Sequence, residues 1–310
     1  MALMASILSL VFALLLAPLL PGIILKVKAL LTGKKGPPLL IRYYTLIKLC
    51  RKGSVYSTST SFVFRLGPLI SCATALMALC FFPFPGAAPL VSFPGDVIVV
   101  FYLLGLGRFF IIAAALDTAS PFEGMGAARE AFFAALAEVA LFVILILFFR
   151  TNGSFSLADC FGGTHPISLI NPRDGVVVLV LVGLFMVLLT ENSRVPVDDP
   201  ATHLELTMIH EAMILDHSGP DLALIEFGAY VKLLFYASML AGLLAPPLEF
   251  TGALAGVLLF YGLLVLVYIA IGITESITAR LKMPMVPKYI LTSFALVFFS
   301  IILSSMEMIP

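Results

Sequence analysis

Eight apolar runs, most of them close to 20 residues long, constrain this chain more than any other feature. A helix of about 20 apolar residues crosses the ~30 Å hydrocarbon layer of a bilayer, and its backbone hydrogen bonds are satisfied within the helix. No alternating pattern typical of a β-barrel occurs. We therefore predict an all-α, polytopic transmembrane helix bundle of about eight spans, organised as a single integral membrane domain over residues 1–310. The predicted spans lie near 3–25, 66–83, 96–116, 131–149, 175–190, 228–245, 252–273 and 289–306.

Composition agrees with a membrane protein and argues against several function classes. Charged residues make up 12% of the chain, against about 25% in soluble domains. The formal net charge is zero and no basic, aromatic-interleaved surface occurs, so we expect no nucleic-acid partner. His210 and Glu211 begin a zinc-protease-like motif, but Ile214 stands where the second histidine ligand would have to be. We expect this chain to bind no metal and no cofactor, since metal-ligand spacing is also absent among Cys50, Cys72, Cys80 and Cys160.

The basic residues predict how the chain is oriented. Nine of its 18 Lys and Arg lie between residues 26 and 65, which makes this loop cytoplasmic by the positive-inside rule. Both termini are then outside, in a bacterial or archaeal inner membrane or, as the alternative, in the membrane of an organelle. The predicted cytoplasmic loops are about 26–65, 117–130, 191–226 and 274–288. Residues 38–50 combine apolar and basic side chains at helical spacing, which predicts an amphipathic surface helix that serves either as a headgroup anchor or as a docking site for a soluble partner.

Residues 191–226 form a dense polar segment between apolar spans. They hold eight of the 18 acidic residues and three of the four histidines, with Arg194 as their only Lys or Arg. Such a segment is costly unless it faces water, a partner protein or a proton path. Asp199 and Pro200 predict a helix start, and Gly219 with Pro220 a stop, so we expect a short helix over about 200–217.

The predicted helix over 200–217 would have a carboxylate edge and an imidazole edge. At 100° per residue, Glu205 and Asp216 project on one side, and the three histidines project together on another. Carboxylates that crowd with few countercharges repel one another, which enables them to load and release protons near neutral pH. The alternative is a solvated surface helix without a special role. The three histidines are His203, His210 and His217.

Two charged residues fall inside predicted spans. Arg108 lies in the third span and Glu138 in the fourth, where an unpaired charge costs several kcal/mol. They form either one structural ion pair or part of a proton path that Glu191, Lys232 and Glu275 would extend at helix ends. Ahead of the fourth span, Ser120 followed by Pro121 predicts the start of a helix.

Residues 191–219 resemble the complex I subunit 1 superfamily, and within it the membrane subunits of energy-converting [NiFe] hydrogenases of the formate hydrogenlyase and hydrogenase-4 types. The resemblance covers about residues 26–288. The stretch Asp199–Leu206 is longer than in the quinone-reducing branch, which favours the hydrogenase branch, and Asp216 stands where glutamate is commoner. Supporting motifs lie at Gly33–Pro37 with Leu46–Leu49, at Leu116–Phe122, and at Gly126–Arg129 with Ala137–Val139.

The resemblance implies a subunit without redox centres that joins a soluble electron-transfer arm to ion-pumping membrane subunits. Its expected partners are soluble hydrogenase-like large and iron–sulfur subunits, antiporter-like membrane subunits and the lipid bilayer. The [NiFe] and iron–sulfur centres would lie in those partner subunits. The positions that match coupling residues of the family are Glu138, Glu191, Arg194, Asp198, Glu205 and Asp216.

The charge pattern adds further candidates to the positions matched by resemblance. Glu211 joins the proton-coupling carboxylates, and a charge relay is expected from Arg108, Arg129, Arg194, Lys232 and Glu275. We therefore predict a membrane-anchoring and coupling subunit that links electron transfer to proton or sodium translocation.

Two alternatives to the coupling role remain open. One is the quinone-chamber subunit of a complex I-type dehydrogenase, with a lipid-accessible cavity between the first and sixth spans and residues 191–226. The other is a stand-alone transporter or structural anchor, which the lack of a clear internal repeat disfavours.

Overall fold

The structure, a computed structural model, describes residues 2–162, 175–199, 208–245 and 253–306, and within these ranges it is helical with no strand. Within the described ranges, seven helical segments are long and apolar enough to cross a membrane, with Leu3–Leu31 counted as one, and a shorter apolar helix at Val177–Glu191 matches the fifth predicted span. The predicted polytopic helix bundle is confirmed. The helices are α1 (Ala2–Leu16), α2 (Leu20–Leu31), α3 (Ile41–Cys50), α4 (Phe62–Cys80), α5 (Asp96–Asp117), α6 (Pro121–Asn152), α7 (Leu157–Gly162), α8 (Gly175–Glu191), α9 (His210–Met213), α10 (Gly219–Leu244), α11 (Ala253–Ile277) and α12 (Val286–Met306).

The first predicted span is broken into two helices. Residues 17–19 form a turn between α1 and α2, with Pro18 in the turn and Pro21 in the first turn of α2. A proline removes a backbone donor and clashes with the preceding helical turn, so the apolar run cannot continue as one straight helix. The amphipathic segment predicted at 38–50 is helical as α3, and Pro38 lies before its first turn.

Helix α6 begins earlier than the apolar run indicated. Ser120 is its N-cap and Pro121 its first residue, as the Ser–Pro pair predicted. The helix then continues for 32 residues, a length of about 48 Å at 1.5 Å per residue. Residues 121–130, which belong to the segment predicted as a cytoplasmic loop over 117–130, are therefore helical. The side of the membrane on which they lie stays a prediction. Gly153 ends the helix with a positive φ of 72°, and its N–H bonds the Phe149 carbonyl at 2.7 Å.

Helix α10 forms the centre of the bundle. Its buried side chains include Phe235 and Tyr236, and they pack with residues of α4, α5, α8 and α11 in the main hydrophobic core. Helices α4 and α5 approach closely because Gly107 faces α4 without a side chain. A methyl group at position 107 would overlap the Thr74 hydroxyl and come within 3.3 Å of the Ser71 Cα.

The helix predicted over 200–217 is wrong in the part that the structure describes. Within 208–217 only the four residues of α9 are helical, and 214–216 form a turn. The Gly219–Pro220 pair begins α10 instead of ending a preceding helix, because proline fits the first turn of a helix. The sixth span therefore begins at Gly219, nine residues before its predicted start at 228. Residues 200–207, with Glu205 and His203, lie outside the described residues.

Candidate functional site

Arg108 contacts three carboxylates inside the bundle. It lies about 18 Å along α5 from Asp96 and pairs with two acids of α6, Glu130 at 3.5 Å and Glu138 at 3.3 Å. A third and closer ion pair joins its Nη2 to Oε2 of Glu191, the last residue of α8. The ion pair expected between α5 and α6 is therefore present, but it belongs to a cluster that connects three helices.

Helix α10 completes the cluster around Glu191. Lys232 places its Nζ 3.2 Å from the Glu191 carboxylate and also donates to the Glu191 backbone carbonyl at 2.6 Å. The Tyr236 hydroxyl donates to the same carboxylate at 3.3 Å. Only 1% of the Glu191 side chain is exposed, and removing one partner of such a buried pair typically costs about 3–5 kcal/mol. We call these residues the Arg108 cluster: Arg108, Glu130, Glu138, Glu191, Lys232 and Tyr236.

Two cavities meet at the Arg108 cluster. The inner cavity has a volume of about 140 Å³ and is lined by residues of α3–α6, by Glu191–Arg194, by Asp198, by residues of 210–214 and by α10. The lateral cavity has a volume of about 310 Å³ and lies mainly between α5 and α6. Leu104, Arg108 and Glu191 line both cavities. The ionisable residues of the inner cavity are Arg42, Arg108, Glu130, Glu191, Arg194, Asp198, His210, Glu211, Glu226, Tyr230 and Lys232.

The lateral cavity opens on the outer face of the bundle. Tyr102 and Phe109, which line it from α5, are strongly exposed, and the Glu138 side chain is 49% exposed. By contrast, Glu191 on the inner side is almost fully buried. The Arg108 cluster therefore runs from the inner cavity, which many ionisable side chains line, to an aromatic-lined face of the protein.

A second ionic group surrounds Glu275 of α11. Its carboxylate contacts Lys28 of α2 at 2.9 Å and Arg194 at 3.3 Å. Only 1% of the Glu275 side chain is exposed. Because Arg194 also lines the inner cavity, this group ties α2 and α11 to the start of the polar segment.

Asp198 organises the backbone on both sides of the residues that the structure leaves undescribed. Its buried carboxylate accepts the N–H groups of Ile209 at 3.2 Å and His210 at 3.0 Å. It also pairs with Arg280 at 2.6 Å. The Leu281 N–H donates to the Pro196 carbonyl at 2.9 Å, which joins the same two loops. This geometry gives Asp198 a clear positioning role.

The remaining predicted residues are divided between the cavity and the surface. His210 and Glu211 line the inner cavity. The Arg129 guanidinium donates to the Met208 carbonyl at 3.1 Å. Asp216 is exposed, and its backbone N–H donates to Glu123 at 3.1 Å. Glu205 lies outside the described residues.

The expected imidazole edge is not formed by the described histidines. His217 is 4% exposed and stacks on Phe64, with ring centroids 4.0 Å apart. Burial lowers the pKa of His217 to about 4, against the opposing effect of Asp221 and Asp216. His210 instead lines the inner cavity. The two rings point to different environments because α9 ends at Met213 and the chain turns before His217.

Several residues of the site were missed by sequence reasoning. Their partners lie far apart along the chain, as Lys28 and Glu275 do, separated by 247 residues. Glu130 could have been noticed because it lies eight residues before Glu138 on the same helix. The missed residues are Lys28, Arg42, Glu123, Glu130, Tyr230, Tyr236 and Arg280.

The chemistry available at the site is acid–base and ionic. Among the described residues, no group of three or more His, Cys, Asp or Glu side chains is placed to hold a metal ion. The Arg108 cluster contains three carboxylates and two basic side chains, Arg108 and Lys232, so one carboxylate is not matched by a base within the cluster.

Comparison with known proteins gives matches over nearly the whole chain. Formate hydrogenlyase subunit 4 of Escherichia coli is 28% identical over 293 residues, covering 92% of this chain and 93% of the relative. Hydrogenase-4 component C of the same organism is 30% identical over 282 residues, covering 87% and 85%. An NADH-quinone oxidoreductase subunit of Paramagnetospirillum magneticum is 28% identical over 206 residues, covering 64% and 58%.

The fold is shared with a solved membrane complex. A chain of the membrane-bound sulfane sulfur reductase, an archaeal respiratory membrane complex, superposes with a TM-score of 0.82 at 19% identity, covering 96% of this chain and 97% of that chain. With its apolar helices and these relatives, the protein is a multi-pass membrane protein. The family model described as NADH dehydrogenase matches residues 3–305. The chain therefore belongs to the NADH dehydrogenase family of complex I subunit 1 proteins, as the resemblance of residues 191–219 predicted.

Proposed function

We propose that this chain is the membrane-anchoring and coupling subunit of an energy-converting hydrogenase-type complex. It links electron transfer in a soluble arm to the translocation of protons or sodium ions. The observation that carries the proposal is the Arg108 cluster, which connects the inner cavity beside the polar segment to a half-exposed carboxylate on an outer face. The two relatives matched over more than four fifths of their length are subunits of hydrogenase systems by name, which supports the same assignment.

The geometry supports a charge relay through Arg108. The guanidinium is closest to Glu191 and lies 3.3–3.5 Å from Glu138 and Glu130. A proton arriving at Glu191 from the inner cavity would weaken its attraction for Arg108. The guanidinium would then be held mainly by Glu130 and Glu138, closer to the lateral cavity. A change in the inner cavity is thereby converted into a change at Glu138.

We propose that electron transfer in the soluble arm acts on this chain at the inner cavity. His210 and Glu211 line it beside Arg194 and Asp198. A partner that displaces the polar segment would move these charges relative to Glu191. We propose soluble hydrogenase-like large and iron–sulfur subunits for this role, with the [NiFe] and iron–sulfur centres in those partners. We also propose that the 26–65 loop and the polar segment lie in the cytoplasm, and that both termini lie on the outside of an inner membrane.

We propose that the change at Glu138 is passed on to neighbouring membrane subunits at the lateral cavity. A half-exposed carboxylate on a lipid-facing surface costs several kcal/mol unless it is hydrated or covered. We propose that antiporter-like membrane subunits pack against α5 and α6 and receive the charge change at Glu138. The coupling carboxylates in the proposal are Glu138, Glu191, Glu205, Glu211 and Asp216, with Asp198 as their positioning partner.

The proposal predicts that Glu138→Gln uncouples the complex without preventing its assembly. The amide keeps the size and an acceptor oxygen of the side chain. It has no negative charge, so it cannot attract the Arg108 guanidinium as the carboxylate does. We expect the ions translocated per hydrogen evolved to fall by about a hundredfold or more, since a positioned proton-transfer group typically contributes a factor of about 10²–10⁴. Proton uptake and sodium uptake would be measured beside hydrogen evolution in inverted membrane vesicles.

A matched control for this experiment is Asp159→Asn. Asp159 is an exposed carboxylate outside the Arg108 cluster, and it accepts a hydrogen bond from Ser154 at 2.7 Å. Asparagine keeps that acceptor. Normal translocation in Glu138→Gln, or an equal loss in both variants, would contradict the proposed path.

A second candidate function is the quinone-chamber subunit of a complex I-type dehydrogenase. The specific observation in its favour is the inner cavity, which is bordered by α10 and by the polar segment as that function predicts. The other described walls of this cavity belong to α3, α4, α5 and α6. The quinone-chamber function predicted the first span in their place. Labelling of cavity residues by a photoreactive quinone in the intact complex would favour this function over the hydrogenase type.

Purification from native membranes separates these functions from the remaining alternative. Recovery with hydrogenase-like and iron–sulfur subunits and with hydrogen evolution is the result that we expect. NADH- or quinone-linked subunits would favour the second function. Recovery of a solitary active protein would support a stand-alone transporter or anchor and contradict the coupling role.

A further inference from the structure

Glu123 is a fully buried carboxylate whose neighbours do not include a basic side chain among the described ion pairs. It lies in the first turn of α6 and is 0% exposed. Its Oε1 accepts the backbone N–H of Asp216 at 3.1 Å. Burying an unpaired carboxylate is costly, so the position of Glu123 calls for a reason other than local packing.

The sequence around Glu123 predicts a hydrogen bond to the N-cap of its own helix. Ser120-Pro-Phe-Glu123 has the spacing of a capping box, in which the glutamate accepts the N-cap N–H of its own helix. In the structure the Ser120 N–H instead donates to the Thr118 hydroxyl at 3.3 Å, and Ser120 makes no side-chain cap. The Glu123 carboxylate is hydrogen-bonded by the Thr118 side chain just ahead of α6 and by the backbone N–H of Asp216, so it binds the segment that carries Glu211 and Asp216.

Two further residues on α6 contact the same segment, residues 208–216. At Gly126 a methyl group would lie 2.8 Å from the Ile209 carbonyl oxygen and 2.9 Å from the Ala212 side chain. Arg129 donates to the Met208 carbonyl at 3.1 Å. Glu123, Gly126 and Arg129 are spaced three residues apart, so they follow one side of the helix over two turns. The segment 208–216 is thus held along the first two turns of α6.

The same side of α6 leads into the Arg108 cluster. Glu130 comes seven residues after Glu123, which places it about 20° from Glu123 around the helix axis. Its carboxylate lies 3.5 Å from the Arg108 Nε. An unbroken helix therefore connects the bound segment to Arg108 within about 11 Å.

We infer that Glu123 is a positioning residue that fixes segment 208–216 to α6, so that movement of this segment reaches Arg108 through Glu130. The inference deepens the proposed function and rests on it for the coupling step. It assigns to the buried carboxylate the role of a hydrogen-bond acceptor for a backbone N–H. A charge is not required for this role, which makes the inference testable by an isosteric exchange.

The test compares Glu123→Leu with Glu123→Gln in the intact purified complex. Leucine removes the acceptor, whereas glutamine keeps one oxygen in place. Hydrogen–deuterium exchange would be followed for the amides of residues 208–216. We expect about tenfold faster exchange in Glu123→Leu, the effect of losing one hydrogen bond that closes a segment. Near-normal exchange is expected in Glu123→Gln.

A pair of glycines provides a control on the same helix turn. Gly124 has no atom within 4 Å of an added methyl group, whereas Gly126 is blocked by the Ile209 carbonyl. We expect Gly124→Ala to leave exchange unchanged and Gly126→Ala to accelerate it. These variants keep Glu123 and test the helix–segment contact if Glu123→Leu does not assemble.

The same variants are then measured for ion translocation per hydrogen evolved. Glu123→Leu should reduce this ratio several-fold, and Glu123→Gln should restore it. Unchanged exchange in Glu123→Leu, a loss in Glu123→Gln as large as in Glu123→Leu, or normal coupling despite a loosened segment would each overturn the inference. The exchange measurement needs no coupled activity, so failure of the proposed function would appear separately, as normal translocation in Glu138→Gln.

Discussion

Arg108 shows why a single charged residue inside a span is hard to interpret from sequence. Its α6 partner Glu138 was predictable, because two opposite charges inside neighbouring spans must pair or be hydrated. Its closest partner, Glu191, is 83 residues away along the chain. No spacing rule connects the two residues, and only the packing of α6 against both α5 and α8 brings them together. The result is a cluster with one more carboxylate than cations instead of a neutral pair.

At the residue scale, His217 predicts a dependence of stability on pH. The pKa of His217 is about 4 in the folded chain, against about 6.5 for an exposed histidine. The unfolded chain therefore binds the proton more readily between these values, and the free energy of unfolding decreases as pH falls from about 6.5 to 4. The decrease is at most about 3 kcal/mol.

The measurement is thermal unfolding of the detergent-purified protein between pH 7 and pH 4, compared with His217→Phe. Phenylalanine keeps an aromatic ring stacked on Phe64 but cannot bind a proton. We expect a shallower pH dependence in this variant. An identical pH dependence in both proteins would show that His217 contributes nothing to it.

At the element scale, the apolar runs predicted which segments are helices but not always where they begin. The Ser120–Pro121 start of α6 was predicted correctly, because a proline after a serine is compatible with the first turn. The Gly219–Pro220 pair was predicted to end a helix but begins α10. The same two residues are compatible with either position. Asp198 fixes the backbone at the start of α9, because its carboxylate accepts the N–H groups of Ile209 and His210. Asp198 itself does not belong to a helix.

Close packing of α4 and α5 gives a prediction at the same scale. Gly107→Ala places a methyl group against Thr74 and Ser71, so the two helices must separate. Overpacking of this kind costs about 1–3 kcal/mol, and it would also narrow the inner cavity that these residues line. We expect a lower melting temperature for the detergent-purified variant.

Gly262 in α11 supplies the comparison for Gly107. It has no atom within 4 Å of an added methyl group, so Gly262→Ala should be neutral or slightly stabilising through helix propensity. Equal melting temperatures for the two variants would argue against close packing of α4 on α5.

At the scale of the whole molecule, orientation in the membrane gives a prediction that needs no partner. Cys50 is exposed at the end of α3, whereas Cys72 and Cys160 are buried and Cys80 is partly buried. If the 26–65 loop is cytoplasmic, a membrane-impermeant maleimide should label Cys50 in inverted vesicles but not in intact cells. Cys50→Ser should abolish the labelling. Labelling in intact cells would reverse the predicted orientation.

The whole fold was more predictable than the site. Hydropathy alone predicted a polytopic bundle, because the bilayer imposes a fixed length on each spanning helix. The resemblance predicted the family and marked Glu138, Glu191 and Arg194 as important positions. Neither source could predict that Glu275 pairs with both Lys28 and Arg194, or that Glu123 binds the Asp216 backbone. Those contacts depend on how helices distant in sequence are arranged in space.

The half-exposed Glu138 carboxylate has a consequence for the life of the protein in the cell. A solitary chain presents this polar group near the middle of α6, on a face otherwise lined by Tyr102 and Phe109. Any neighbouring helix that covers this face removes an unfavourable contact with lipid. The chain is therefore expected to be less stable in the bilayer when it is alone than when a neighbouring helix covers Glu138.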